Sequence, residues 1–443
     1  MLRRSRQIWL SPAIWRRRLV FWCGGVAIGL AAAGLAIAAD LVQGWFRLVV
    51  APRPYLPLLL TPLGFAVSAA LTTRLFPGAQ GSGIPQAIAA RRVTDPAART
   101  RLLSLRIAVG KILLTLLGLL VGGSVGREGP TVQIGASIMH GVSHLWGGKR
   151  QGLILAGGAA GVAAAFNTPL AGIVFAIEEM SRSFEQRTSG LVLTTVIVAG
   201  IASLSLLGNY TYFGHSAAML GSIGDWVAVP LCGVVGGLLG GLFSRTVVAM
   251  SRGLPGRLGT LITRHPIYFA AACGFLVAAI GILSDATTYG TGYHQARQLL
   301  EGSADIPARF GALKLLATAL STISGIPGGI FSPSLAVGAG LGADVARLIP
   351  FAPTGAVVLL GMVAYFAGVV QAPITAFVIV LEMTDSHAMA GPLMLTSLIA
   401  FGTARLAGAA PIYHALAEKY DAPRMGGTQD APSASGISGG ADA

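Results

Sequence analysis

Charge is what this 443-residue chain has least of: 11% of its residues are Asp, Glu, Lys or Arg, against about 25% in soluble domains. With 53% hydrophobic residues and a mean hydropathy of +0.71, one soluble core is excluded. Apolar stretches begin near Leu19–Ala39 and recur almost to the end, which reads as a polytopic, all-helical integral membrane protein. Cysteine is also scarce. Cys23, Cys232 and Cys273 are odd in number, lie in apolar surroundings and lack metal-ligand spacing, so they read as packing residues rather than a disulfide framework. The seven histidines are scattered, with no His-x-x-x-His or Glu-flanked pattern, and no metal site is expected. No phosphate loop or nucleophile–base pair is visible, so neither a cofactor nor an enzyme is expected.

Acidic residues number 17 against 31 basic ones, for a net charge of +14. A nucleic-acid partner is excluded because the basic residues are not interleaved with aromatics on a polar domain. They gather in short connections: Arg3, Arg4, Arg6 and Arg16–Arg18, then Arg91, Arg92, Arg99 and Arg101, then Lys149 and Arg150. The positive-inside rule makes these cytoplasmic, in a multi-pass protein of the inner (cytoplasmic) membrane. The basic residues before the first apolar run resemble a signal peptide, but further membrane-like segments follow, so a retained first span is expected.

Glycine, by contrast, is abundant at 61 residues, and small residues let helices approach closely and break. Gly126-Arg127-Glu128-Gly129-Pro130 sets an arginine and a glutamate inside one of the most apolar stretches. A carboxylate at membrane depth marks a functional site. Pro130 suits the first turn of a helix, and the glycines let the preceding backbone turn with its N–H groups exposed. Free N–H groups and the positive end of a helix dipole make an anion site. Glu128 is then a tethered anion that can occupy the site or leave it when protonated, which suggests a gate.

The motif has an echo. Gly328-Gly329-Ile330-Phe331-Ser332-Pro333 leads into a run of small residues, as Pro130 does, and 203 residues separate Pro130 from Pro333. Asn167-Thr168-Pro169-Leu170-Ala171-Gly172 leads to Glu178-Glu179, and Gln371-Ala372-Pro373-Ile374-Thr375-Ala376 leads to Glu382, with 204 residues between Pro169 and Pro373. Nearly equal offsets indicate an internal duplication of the kind secondary transporters carry. The expected organisation is a basic amphipathic segment at 1–18, a first membrane repeat at 19–207, a polar connection at 208–225, a second repeat at 226–423, and a tail at 424–443 too polar and simple to fold.

Gly81-Ser82-Gly83-Ile84-Pro85 repeats the chemistry. Only about two helical turns separate Pro85 from Arg91-Arg92, which predicts a half-helix. Ser82 either donates its hydroxyl to an anion or serves as an ordinary N-cap. Three glycine-flanked helix starts with similarly placed prolines fit broken-helix transporters, which bind anionic groups at converging helix N-termini.

These three motifs, in this order, resemble the signatures of the ClC family of chloride channels and proton/chloride antiporters, and the likeness extends through Ala165–Met180 to Pro411-Ile412-Tyr413. The resemblance implies a homodimer whose subunits each hold a pore made of two inverted, interlocked helical repeats. It implies that the Ser82 and Tyr413 hydroxyls and the backbone N–H groups of Ile330 and Phe331 hold a central chloride. Arg127, Glu128 and Gly129 border an outer site, with Glu128 as external gate and proton carrier. Tyr413 by itself reads as an interfacial anchor, and Tyr420 is the alternative.

Antiporters of the family carry an inner glutamate, and the alignment puts Glu179 there, with Glu178 pointing about 100° away. The plain alternative leaves both as solvated charges near Arg182 and Arg187. With two carboxylates present, proton-coupled chloride exchange is expected over a passive gated chloride channel. A membrane enzyme or a cation-coupled organic-anion transporter fits less well, since the motifs supply only sparse hydroxyls. Serine at 82, from which the nitrate-preferring and fluoride-exporting branches depart, points to chloride, with bromide tolerated. Lys111 either snorkels toward Arg106 or biases the local field toward anions.

Overall fold

The computed structural model describes residues 12–146, 150–181, 186–208, 211–303 and 305–421. The first half holds α1 (Pro12–Val50), α2 (Pro57–Arg74), α3 (Ile84–Arg92), α4 (Pro96–Leu102), α5 (Leu105–Leu120), α6 (Glu128–Trp146), α7 (Arg150–Phe166), α8 (Pro169–Phe175) and α9 (Gln186–Leu207). A π-helical turn, Ala176–Ser181, continues α8. The second half holds α10 (Ala228–Arg252), α11 (Gly256–Arg264), α12 (Pro266–Leu283), α13 (Tyr293–Leu300), α14 (Phe310–Ile323), α15 (Phe331–Leu348), α16 (Thr354–Val370), α17 (Pro373–Thr384), α18 (Ala390–Leu406) and α19 (Ile412–Asp421).

Proline starts many of these helices. Pro57, Pro85, Pro96, Pro169, Pro266 and Pro373 sit in the first or second helical position, where the missing N–H costs nothing and φ is already set. Asp95 caps α4 by accepting from Ala97 and Ala98, and Ser104 caps α5 by accepting from Ile107. Six helical stretches among the described residues are long and apolar enough to cross a membrane. The nine-residue α3 rises only about 13 Å at 1.5 Å per residue and is a half-helix. α16 is buried from Ala356 to Val370, so its apolar surface meets protein on every side.

The duplication is visible as an inverted repeat of broken helices. α6 packs on α7 as α15 packs on α16. At both crossings glycine meets glycine, Gly135 with Gly157 and Gly338 with Gly361, and a Cβ on any of them would strike the facing backbone. Asn167 and Gln371 turn the chain into α8 and α17 from left-handed conformations, φ 57° and 62°. At the centre, the Gly126 and Gly329 N–H groups each donate to the other's carbonyl at 2.7 Å, an antiparallel bridge on the internal two-fold.

The two halves also exchange caps. Glu178 accepts from the Ile374 and Thr375 N–H groups at the start of α17, at 3.1 and 2.5 Å. Glu382 accepts from Leu170 and Ala171 at the start of α8, at 3.1 and 2.6 Å. A carboxylate on exposed first-turn N–H groups complements the helix dipole.

Several expectations change in detail. α1 begins at Pro12, so residues 12–18 run on into the first long helix instead of forming a separate segment. Residues 1–11 and the tail at 424–443 lie outside the described residues, as do Asn209 and Tyr210. Cys23 is exposed on α1 rather than packed inside, whereas Cys232 and Cys273 are buried. The connection after α9 is pinned to the second repeat: Phe213 N–H donates to Met383 O, and Ser216 N–H to Thr384 O.

Candidate functional site

The three glycine-flanked helix starts meet around the central bridge. Gly83, left-handed at φ 101°, is the N-cap of α3, and no side chain caps that helix. Ser82 is therefore not an N-cap serine, and its hydroxyl stays available. Its loop is held from several directions: Gly328 N–H donates to Gly81 O at 3.0 Å, and Gln86 Nε2 donates to Gln80 O at 2.6 Å. Lys111 does not snorkel. It is fully buried, and its Nζ donates to Ala79 O at 2.6 Å and Gly81 O at 2.8 Å. Lys314 does the same for Thr288 O and Gly290 O, 203 positions later.

Gly129 abuts Ser82, and a Cβ there would overlap Ser82 Oγ. The glycine between Glu128 and Pro130 is thus a spatial requirement of the two motifs together. From the second repeat, α15 presents its first turn, where Ser334 is the first N–H to bond back, to Ile330 O. Ile330 and Phe331 precede it with the N–H groups that a helix start leaves open. Phe331 is clamped by Phe166, Phe366 and Tyr413, with ring centroids 6.1, 4.8 and 5.8 Å away. Tyr413, from α19, is fully buried and Ser82 nearly so, and neither hydroxyl has a hydrogen-bond partner. Buried orphan hydroxyls cost free energy, so an acceptor placed between them would satisfy both. Tyr420, the alternative, already accepts from Gln80 Nε2 at 3.2 Å.

Two cavities flank this point. One, of about 210 Å³, is lined by Ser82, Ile330, Tyr413, Gln80, Lys419 and Tyr420. The other, of about 230 Å³, is lined by Asp40, Arg127, Tyr212, Thr291 and Tyr293. Glu128 is fully buried, with Arg127 on one side facing the second cavity and Gly129 on the other against Ser82. Its Oε1 accepts from Ser332 Oγ. Tyr212 Oη lies 3.2 Å from Ser332 Oγ and 3.5 Å from Glu128 Oε1. Arg127 donates to Ala36 O at 2.8 Å and to Asp40 at 3.3 Å, and its guanidinium lies 5.8 Å from the Tyr212 ring centre.

Glu178 and Glu179 have separate fates. Glu178 is the helix cap described above, not a solvated charge. Glu179 is 1% exposed and stands on the π turn, a feature frequent at functional sites. His414, next to Tyr413, brings its Nε2 to 2.6 Å from the Glu179 carbonyl and 3.8 Å from its carboxylate. Arg92 Nη2 lies 2.6 Å from His414 Nδ1. Guanidinium can only donate, so Nδ1 accepts and Nε2 carries the proton. Arg182 lies outside the described residues, as does the Arg187 side chain.

Three residues at the site were not singled out from the sequence: Ser332, Tyr212 and His414. Ser332 stood in plain view inside the third motif, and His414 beside Tyr413. Tyr212 carried no signal, because it falls in the polar connection and enters the site only through folding.

Three broken-helix starts thus meet at one buried point between two cavities. Residues 63–405 match the voltage gated chloride channel family, and the chain belongs to it. Similar solved structures include a slow cyanobacterial Cl⁻/H⁺ antiporter, 25% identical with a TM-score of 0.79 over 94% of this chain and 99% of that one. A CLC-type fluoride/proton antiporter is 21% identical, TM-score 0.76, over 88% and 96%. A eukaryotic CLC transporter is 21% identical, TM-score 0.71, over 92% and 75%.

Proposed function

We propose that this protein exchanges chloride for protons across the inner membrane, with Glu128 as the outer gate and Glu179 as the inner proton carrier. The observation that carries the reading is the pair of buried, unpartnered hydroxyls of Ser82 and Tyr413 beside the open start of α15. Two hydroxyl donors and the Ile330 and Phe331 N–H groups suit a spherical anion that has shed its water. They impose no directional shape, which supports chloride with bromide tolerated. The Cl⁻/H⁺ antiporter among the similar structures supports the same cargo.

An ionised Glu128 competes with chloride for the helix starts around Arg127 and Gly129, and protonation removes the charge that held it there. Glu179, secluded from water, passes protons between the basic face and Glu128. The protein acts as a homodimer with one pathway per chain, as the family resemblance implies. Chloride and proton fluxes measured separately in liposomes test this. The wild type should drive protons uphill along a chloride gradient, and Glu128→Gln should keep chloride flux while losing proton flux. Uphill proton movement by Glu128→Gln would remove Glu128 from the mechanism, and a wild type passing chloride without protons would make the protein a channel.

A further inference from the structure

We propose that Ser332 and Tyr212 form a hydroxyl latch that holds Glu128 in its blocking position only while its carboxylate is ionised. This deepens the gate reading above and rests on it. The three residues come from separate segments: Glu128 opens α6, Ser332 lies in the first turn of α15, and Tyr212 belongs to the connection after α9. All are buried, the most accessible being Tyr212 at 3%.

Each hydroxyl has one proton to give. With Glu128 ionised, Tyr212 donates to Ser332 Oγ and Ser332 donates to Glu128 Oε1, a chain of donors ending on a charge. Protonation of either carboxyl oxygen turns the charge-assisted bond into a neutral one, about half as strong. Glu128 Oε2 has no hydrogen-bond partner and faces Gly126, so the carboxylate is anchored through one oxygen. Weakening the contacts at that one oxygen therefore frees the side chain to swing.

The latch is stiff. Tyr212 is wedged between the rings of Phe166, Phe213 and Tyr293, with centroids at 5.3, 5.0 and 5.0 Å, and its face lies under Arg127. Its hydroxyl cannot follow a moving carboxylate. The titratable groups around the latch are Arg127 with Asp40 on one side, Tyr413 and Glu179 on the other, and the buried Lys111 and Lys314, each held on backbone carbonyls. Ser332→Ala and Tyr212→Phe leave all of them in place, so a difference from wild type reports the hydroxyls alone.

The experiment is chloride efflux from liposomes holding the full chain, across a pH series, with proton flux recorded in parallel. Each substitution deletes one oxygen, and matching elution profiles establish the fold. Wild-type chloride flux should fall as pH rises and the gate closes. In Ser332→Ala the fall should move about one to two pH units higher, the ten- to hundred-fold effect of a lost hydrogen bond to a charge. Tyr212→Phe should move it in the same direction by less, since it acts mainly through Ser332. Curves for both variants that superimpose on wild type would overturn the latch. A wild type that moves chloride but no protons would overturn the exchange reading instead, and the same chloride curves would still decide the latch.

Discussion

Removing the hydroxyls of Ser82 and Tyr413 is the sharpest probe of the central site. A hydrogen bond to a charged partner contributes about 1.5–3 kcal/mol, or roughly ten- to a hundred-fold in affinity. Two structural facts place each residue within that range. Neither hydroxyl has a hydrogen bond of good geometry in the free protein, so most of the loss falls on the bound state. Tyr413 is fully buried while Ser82 is 8% exposed beside the 210 Å³ cavity, where water can stand in for its oxygen. Tyr413→Phe should therefore weaken chloride toward a hundred-fold and Ser82→Ala toward ten-fold. The double variant should lose less than the two combined, because both groups touch one ion. Tyr420→Phe should change binding little, since that hydroxyl is engaged by Gln80. Calorimetric titration of chloride into detergent-purified protein reads all four. Unchanged binding in Tyr413→Phe together with a loss in Tyr420→Phe would refute the assignment.

The paired glutamates should separate by phenotype. Glu179→Gln is expected to retain chloride flux and lose proton flux, whereas Glu178→Gln should stay coupled and lose about 1–2 kcal/mol of stability as a weakened helix cap, with Glu382→Gln matching it. Full coupling in Glu179→Gln would return the inner proton route to another residue. Lys111→Met should leave the Ala79 carbonyl buried without its side-chain donor, at about 1–3 kcal/mol, while Gly81 O keeps only the Gly328 N–H. Heating followed by size exclusion should show earlier loss of the monodisperse peak than in wild type, and an unchanged midpoint would mean the amine does not hold the Ser82 loop.

What could be read in advance was local. Glycine and proline mark helix starts within five residues, so 81–85, 126–130 and 329–333 stand out as breaks and, in that order, carry the family resemblance, while the offsets of 203 between Pro130 and Pro333 and 204 between Pro169 and Pro373 expose the duplication. What could not be read was the reach of long side chains. Glu178 caps backbone 196 and 197 positions away, and nothing near it distinguishes a cap from a surface charge. Lys111 turns back 30 to 32 positions to its carbonyls, where a lysine in an apolar run ordinarily snorkels. Tyr212 was hidden for a different reason. Its segment is polar and lies between the repeats, and only the return of that segment against α17 carries the ring inward.

The amides of Gly126 and Gly329 join the two repeats at their common axis, and this bears on how the machine can move. Transporters made of inverted repeats commonly rock one bundle against the other. Here such rocking would part both 2.7 Å bonds at the axis and draw Glu178 and Glu382 off their helix ends together. On the proposed gate reading the backbone is a stator, and Glu128 alone swings, through a few bonds. Such a gate would keep time by a rotamer change and a proton's arrival, within a scaffold tied together at its own axis.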